Sequence, residues 1–209
     1  MITYTFLIII VVFSIYCFNN RDAMNKYMFH PYSIHYNKEH YRFLTHAFIH
    51  GDYIHLAFNA LALLSFGISI EDHYFPILFG EKLGKVMYVV LFTGGIYAAS
   101  FTEYFLNKNN KSYSSLGASG AISSVMFCWI MLSPLGTIGL FFIPMKGWIA
   151  GILLLGVSYY LIRRKKTGKY TDNVSHESHF WGALFGIAFI LVAKPSVAKE
   201  FIHEVFGRF

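Results

Sequence analysis

The sequence predicts an all-α polytopic membrane protein, a bundle of six transmembrane helices in a single domain covering residues 1–209. Hydrophobic residues make up 56% of the chain and charged residues 13%, and the mean hydropathy is +0.48. Soluble domains carry about 25% charged residues, roughly twice as many. The apolar residues are also gathered in stretches close to the ~20 residues that cross the hydrocarbon core of a bilayer.

Each apolar stretch predicts one helix. The first has no charged n-region and no small-residue cleavage site, so we expect a retained span rather than a signal peptide. The polar and aromatic-rich segment 19–52 is expected to be a long loop at the membrane interface. The six predicted helices cover residues 1–18, 53–70, 86–106, 117–133, 147–162 and 179–193.

The connections follow from residues that interrupt helices. Pro76 and Gly80 predict a turn over residues 71–85, between helices 2 and 3. Residues 194–209 are expected to form a short amphipathic or frayed end. Helix 4 is short because Pro134 stops it, and about 15 residues span only ~22 Å of a core ~30 Å thick. Its first residues should therefore be recessed within the membrane.

A serine in a small-residue patch begins helix 4. The patch is Leu116-Gly117-Ala118-Ser119-Gly120-Ala121. Glycine removes side-chain bulk and permits backbone conformations that other residues avoid, and the N–H of Ser119 could stabilise an oxyanion. Small residues of this kind also mediate simple helix packing in membranes, and the motif alone leaves both readings open.

Other polar residues lie within predicted spans, where each is a functional-site hypothesis. His55 and Asn59 are four residues apart and share a face of helix 2. His179 opens helix 6, followed by a Gly182-x-x-x-Gly186 strip that would let helix 4 approach closely. These groups could instead serve only as interhelical hydrogen-bond partners.

A close crossing of helices 4 and 6 would bring His179 beside Ser119. A neighbouring imidazole activates a serine by accepting its proton and can then protonate the leaving amine. His55 and Asn59 could then donate to the developing oxyanion, one such donor being worth about 3 kcal/mol. Glu103, the acid furthest inside a predicted span, is expected to reach the interface near the end of helix 3.

Several other classes of function fit the sequence less well. The net charge of +6 comes from basic residues in loops, where lipid headgroups are the expected partners, so we expect no nucleic-acid partner. Cys17 and Cys128 lie in apolar runs and predict no disulfide. A small transporter with a histidine proton relay would need paired acids or bases across the bundle, which are missing.

A metal site is an alternative use of the histidines in this region, with His46, His50, His55, His176 and His179 as possible ligands. His46 and His50 have the i, i+4 spacing of zinc-binding helices. The pattern His-Glu-x-x-His is absent, however, and no cluster of membrane-embedded carboxylates accompanies the histidines. We therefore expect no metal and no cofactor.

Three separated motifs resemble those of the rhomboid family of intramembrane serine proteases, over about His46 to Gly186. The motifs are Thr45-His46-Ala47-Phe48-Ile49-His50 with His55-Leu56-Ala57-Phe58-Asn59, Gly117-Ala118-Ser119-Gly120-Ala121, and His179-Phe180-Trp181-Gly182 with Gly186.

The resemblance implies a six-helix rhomboid-like core with a catalytic Ser119 and His179 dyad and oxyanion roles for His55 and Asn59. It also implies substrates that are themselves transmembrane proteins. The sequence departs from the family at Ser123, where an aromatic residue often stacks on the catalytic histidine. Tyr97 or Trp181 could orient His179 instead.

A catalytically silent rhomboid-like protein that binds transmembrane segments remains the alternative function. We expect an integral multi-pass protein of the cell (plasma) membrane, in contact with the lipid bilayer. Its oligomeric state does not follow from the sequence.

Overall fold

The computed structural model describes residues 1–140, 143–167 and 174–207, and this part of the chain is mostly helical. A two-stranded antiparallel hairpin pairs Thr137 with Lys146 and Leu140 with Ile143. The elements, in order, are α1 (Ile2–Phe18), α2 (Arg21–Tyr27), α3 (Pro31–Tyr36), α4 (Arg42–Thr45), a 3₁₀ turn (His46–Phe48), α5 (Tyr53–Ala62), two π-helical segments (Leu63–Gly67 and Ser69–Tyr74), α6 (Phe75–Phe79), α7 (Glu81–Asn107), α8 (Ser119–Leu132), β1 (Thr137–Leu140), β2 (Ile143–Lys146), α9 (Gly147–Lys166), α10 (His176–Ala193) and α11 (Ser196–Phe206).

Three helical segments in the described residues are long and apolar enough to cross a membrane: Tyr53–Phe79, Glu81–Asn107 and His176–Ala193. Ile2–Phe18 and Ser119–Leu132 are shorter apolar helices. The protein is therefore built on membrane-embedded helices. The count of six spans stays a prediction.

The centre of the molecule is formed by α7, α8 and α10, which approach each other through small residues. A Cβ atom built on Gly182 would overlap the carbonyl of Gly120, and one on Gly186 would overlap the carbonyl of Ser124. From α7, a Cβ on Gly95 would overlap the Ser124 hydroxyl. The close crossing of helices 4 and 6 that the glycine strip predicts is thus confirmed.

The predicted turn over residues 71–85 is wrong. Helical structure continues from α5 through two wide π-helical segments into α6, and the break falls at Gly80. Gly80 has φ +78°, a conformation that L side chains rarely adopt. Pro76 does not end this helix; it lies two residues after the π-helical segment Ser69–Tyr74, and π-helical adjustments of this kind accommodate proline in membrane helices.

Glu71, the first residue of the segment predicted as a turn, is buried in the structure. Glu71 is 1% exposed, and its carboxylate accepts hydrogen bonds from the backbone N–H groups of Ile2 (2.6 Å) and Thr3 (2.7 Å). The Thr3 hydroxyl lies 2.7 Å from the same carboxylate and 3.0 Å from the Tyr88 hydroxyl. Glu71 therefore caps the unpaired N-terminal N–H groups of α1.

The loop predicted over residues 19–52 is also wrong, since this segment folds into α2, α3, α4 and the 3₁₀ turn. Arg42 is 7% exposed and donates from Nη1 to the carbonyls of Asn25 and Met28, each at 2.8 Å. Phe29 and Ser115 exchange two backbone hydrogen bonds. The Arg42 contacts hold the segment together, and the Phe29–Ser115 pair joins it to the loop that precedes α8.

Other predicted helix bounds change as well: α8 covers Ser119–Leu132, and α9 extends to Lys166. α7 begins at Glu81, before the predicted residue 86, because the break at Gly80 comes early. α10 begins at His176, because the hydroxyl of Ser175 caps it by accepting from the Ser178 N–H at 3.2 Å. The predicted tail forms α11, with Val197 and Val205 buried.

Candidate active site

A cavity of about 690 Å³ opens where α5, α7, α8 and α10 meet. Its wall contains residues from all four helices and from the loop before α8. The four predicted site residues all line it: His55, Asn59, Ser119 and His179.

Ser119 is the first residue of α8. The N–H groups of a helix's first turn have no partner within the helix, and the helix dipole makes this end favourable for negative charge. Gly117, two residues earlier, has φ +116° and donates its N–H to the carbonyl of His46 at 2.9 Å. This glycine turn leads the chain into the helix with Ser119 at the cavity.

The His55 ring lies directly against Gly117. A Cβ on Gly117 would come within 2.7 Å of His55 Cε1 and 3.0 Å of Nε2. The backbone N–H of His55 donates to Asp52 at 2.7 Å, which caps α5. One turn further along, the Asn59 amide donates to the His55 carbonyl at 3.0 Å. A side-chain amide has two N–H donors, so the second N–H of Asn59 is available for another acceptor.

His179 lies in the first turn of α10, and its N–H donates to the Ser175 carbonyl at 3.3 Å. The His176 ring stands at 90° to the His179 ring, with centroids 6.3 Å apart. Tyr97 and Trp181, proposed from the sequence to orient His179, are 47% and 40% exposed. The Tyr97 ring packs near that of Phe43, at 6.4 Å.

Glu103 does not reach the interface as predicted, because it is 1% exposed and hydrogen-bonded on several sides. Ser115 donates to its carboxylate at 2.8 Å and Ser178 at 2.6 Å, and Ser175 also donates to it. Sequence reasoning missed these contacts. The signal was present, however, because an acid inside a membrane span needs partners.

Two further histidines lie beside the cavity outside the long spans. Burial lowers the pKa of His46 to about 4, and its Nδ1–H donates to the Arg42 carbonyl at 2.9 Å. Burial, followed by the nearby His55, lowers the pKa of His50 to about 3. Both rings are therefore neutral at pH 7. Within the described ranges, no group of three or more His, Cys, Asp or Glu side chains is arranged to hold a metal ion.

The fold and the cavity define a class of protein: a helical membrane protein with a cavity between its central helices that contains serine, histidine and asparagine side chains. A model of the Rhomboid domain matches residues 37–196, which is most of the chain, so the protein belongs to the rhomboid family. Protease function is typical of that family.

Curated relatives support the same assignment. The chain is 29% identical to RHOMBOID-like protein 12, mitochondrial, of Arabidopsis thaliana over 79% of its length. It is 30% identical to the Presenilin-associated rhomboid-like protein, mitochondrial, of Homo sapiens over 75%, and 28% identical to Rhomboid protein 1, mitochondrial, of Saccharomyces cerevisiae over 74%. The chain spans only 50%, 39% and 42% of these three proteins, respectively.

The predicted location in the cell membrane is wrong. The relatives to which the chain is similar are named as mitochondrial proteins and not as proteins of the cell membrane. The physical reason for the error is that hydropathy identifies a bilayer-spanning helix but does not distinguish one organelle's bilayer from another's.

Proposed function

We propose that this protein is an intramembrane serine endopeptidase that hydrolyses peptide bonds in or near transmembrane segments of other proteins. The observation that carries the proposal is the convergence of Ser119, His179, His55 and Asn59 on one cavity. They come from three helices that are far apart in the sequence. The mitochondrial names of the relatives favour a mitochondrial membrane as the location.

Each residue has a role in the proposed reaction. His179 accepts the hydroxyl proton of Ser119 as the serine oxygen attacks the scissile carbonyl, and then gives that proton to the leaving amine. In the second half of the reaction His179 deprotonates a water that enters through the cavity. The water oxygen attacks the acyl carbon, the bond from that carbon to Ser119 Oγ breaks, and His179 returns the proton to Oγ. No metal or cofactor takes part.

The developing oxyanion would be held by the Ser119 N–H together with His55 and Asn59. The N–H is at an unpaired helix N-terminus. The His55 ring is held against Gly117, two residues from Ser119, and the Asn59 amide has a second N–H to donate. In the oxyanion holes of other enzymes, one such donor lowers the activation barrier by about 3 kcal/mol.

In this proposal the chain crosses the bilayer six times, with the short α8 as the fourth span. Fourteen residues correspond to about 21 Å, which is less than the ~30 Å core. Ser119 at the start of α8 then lies within the membrane rather than at its surface. That depth suits a substrate which is itself a transmembrane protein.

The test is cleavage of a model transmembrane substrate in liposomes by wild type, Ser119→Ala and His179→Ala. We expect wild-type cleavage and a loss of at least about 10³-fold in each variant, with unchanged thermal unfolding. Cleavage that survives either substitution would exclude the dyad. Capture of the substrate without cleavage by any form would favour a silent binder of transmembrane segments.

A further inference from the structure

Glu103 is a buried carboxylate that the proposed reaction does not use. It lies near the end of α7, is 1% exposed and does not line the cavity. Its partners Ser115, Ser175 and Ser178 do line the cavity. The carboxylate therefore stands directly behind the cavity wall.

The partners of Glu103 are all hydroxyl groups. Ser115 donates to one carboxylate oxygen, and Ser175 and Ser178 donate to the other. Burial, and then the nearby Glu103 charge, raise the pKa of the Tyr113 phenol above its ordinary value, so this phenol keeps its proton. A buried carboxylate is tolerated only when it is bonded in this way.

These hydroxyls belong to the two segments that carry the proposed dyad. Ser115 lies four residues before Ser119, in the loop that enters α8. Ser175 caps α10, and Ser178 directly precedes His179. One side chain therefore connects the approach to the nucleophile with the first turn of the histidine's helix.

We propose that Glu103 is a positioning residue that sets the separation and orientation of Ser119 and His179. This inference rests on the proposed function. Glu103 acts through Ser115, Ser175 and Ser178 and does not touch the substrate. Its removal should therefore slow the chemical step while leaving substrate binding intact, because misplacing reacting groups by about 1 Å costs on the order of 10²-fold in rate.

The matched control is Glu71, which is equally buried at 1% exposure and also bonded to a helix N-terminus. Glu71 and its partners Ile2 and Thr3 are not part of the cavity wall. In both Glu103→Gln and Glu71→Gln an amide replaces a carboxylate of the same shape, so both should lower the thermal unfolding temperature. Only the Glu103 variant should affect the dyad.

The experiment measures kcat and KM on a transmembrane substrate, and the rate at which a fluorophosphonate probe labels Ser119, per folded molecule. We expect Glu103→Gln to lower kcat and labelling about 10- to 100-fold with KM within about twofold of wild type. Ser178→Ala, which removes one donor, should have a smaller effect in the same direction. The double variant with Glu103→Gln and Ser178→Ala should lose little more kcat than Glu103→Gln alone, because both substitutions act on the same contact.

Each result decides something. Wild-type kcat and labelling in folded Glu103→Gln, or equal losses in Glu71→Gln, would overturn the positioning role and leave the proposed protease intact. A wild type that neither labels at Ser119 nor cleaves would overturn the protease proposal and the role of Glu103 with it. If Glu103→Gln does not fold, Ser178→Ala and Ser115→Ala carry the test, and wild-type kcat in both would overturn the positioning role.

Discussion

At the scale of single residues, Gly117 is the position in the candidate site where a side chain is least tolerated. Its φ of +116° strains any L side chain, and a Cβ there would come within 2.7 Å of the His55 ring. The same residue donates its N–H to the His46 carbonyl. One glycine thus sets both the entry to α8 and the position of a proposed oxyanion donor.

We expect Gly117→Ala to lower proteolytic activity at least about tenfold, because moving His55 withdraws a donor worth about 3 kcal/mol. Cleavage of a transmembrane substrate, per folded molecule, measures this. The control is Gly156→Ala in α9, where an added Cβ meets nothing within 4 Å. Full activity in Gly117→Ala would show that the contact between Gly117 and His55 is not needed for catalysis.

At the scale of elements, the crossing of α8 and α10 holds the two halves of the proposed dyad together. Gly182 faces the Gly120 carbonyl, and Gly186 faces the Ser124 carbonyl. Both contacts are with backbone, which cannot rotate away as a flexible side chain can. The helices must therefore separate if either glycine gains a side chain.

We expect Gly182→Ala to lower the free energy of unfolding by about 1–3 kcal/mol, the usual cost of overpacking, and to lower activity as His179 moves away from Ser119. Thermal unfolding in detergent and substrate cleavage measure the two effects. The control is Gly151→Ala in α9, where the nearest contact of an added Cβ is Phe127 Cε1 at 3.4 Å. If both variants unfold like wild type, the crossing has more room than the structure indicates.

At the scale of the whole molecule, two neutral histidines make stability depend on pH. The pKa values of His46 and His50 in the folded protein are about 4 and about 3, below the unfolded value of about 6.5. Between these values the unfolded chain binds more protons than the folded one. Their contribution is therefore fully present above pH 6.5 and is lost as the pH falls toward 4 and 3.

Well below pH 6.5, the protonation of each histidine in the unfolded chain lowers the free energy of unfolding by about 1.4 kcal/mol per pH unit. Because the slope is only half of this at pH 6.5, the two histidines together account for roughly 3 kcal/mol between pH 6.5 and 5. Thermal unfolding at a series of pH values should show this slope. His46→Asn and His50→Asn should each make it shallower, and the exposed His203→Asn in α11 is the control. An unchanged slope in both variants would mean that these rings do not stay neutral on folding.

The local sequence alone predicted the fold class, one helix crossing and the candidate site residues. Apolar length predicted a helical membrane protein and the helix over Ile2–Phe18, because bilayer thickness sets the length of a span. The Gly182 and Gly186 strip predicted the close crossing, because only small residues permit it. The chemistry of Ser119, His179, His55 and Asn59 singled them out, since polar groups in a span are costly without a role.

Only the tertiary structure determined which groups bind the buried charged side chains. Glu71 and Glu103 looked like a turn residue and an interface residue, and Arg42 like part of a loop, because a local pattern shows a charge without its partners. The partners of Glu71 are in α1, and those of Glu103 are in the loop before α8 and at the start of α10. A buried charge is stable only when such groups surround it, and folding brings them together from distant parts of the chain.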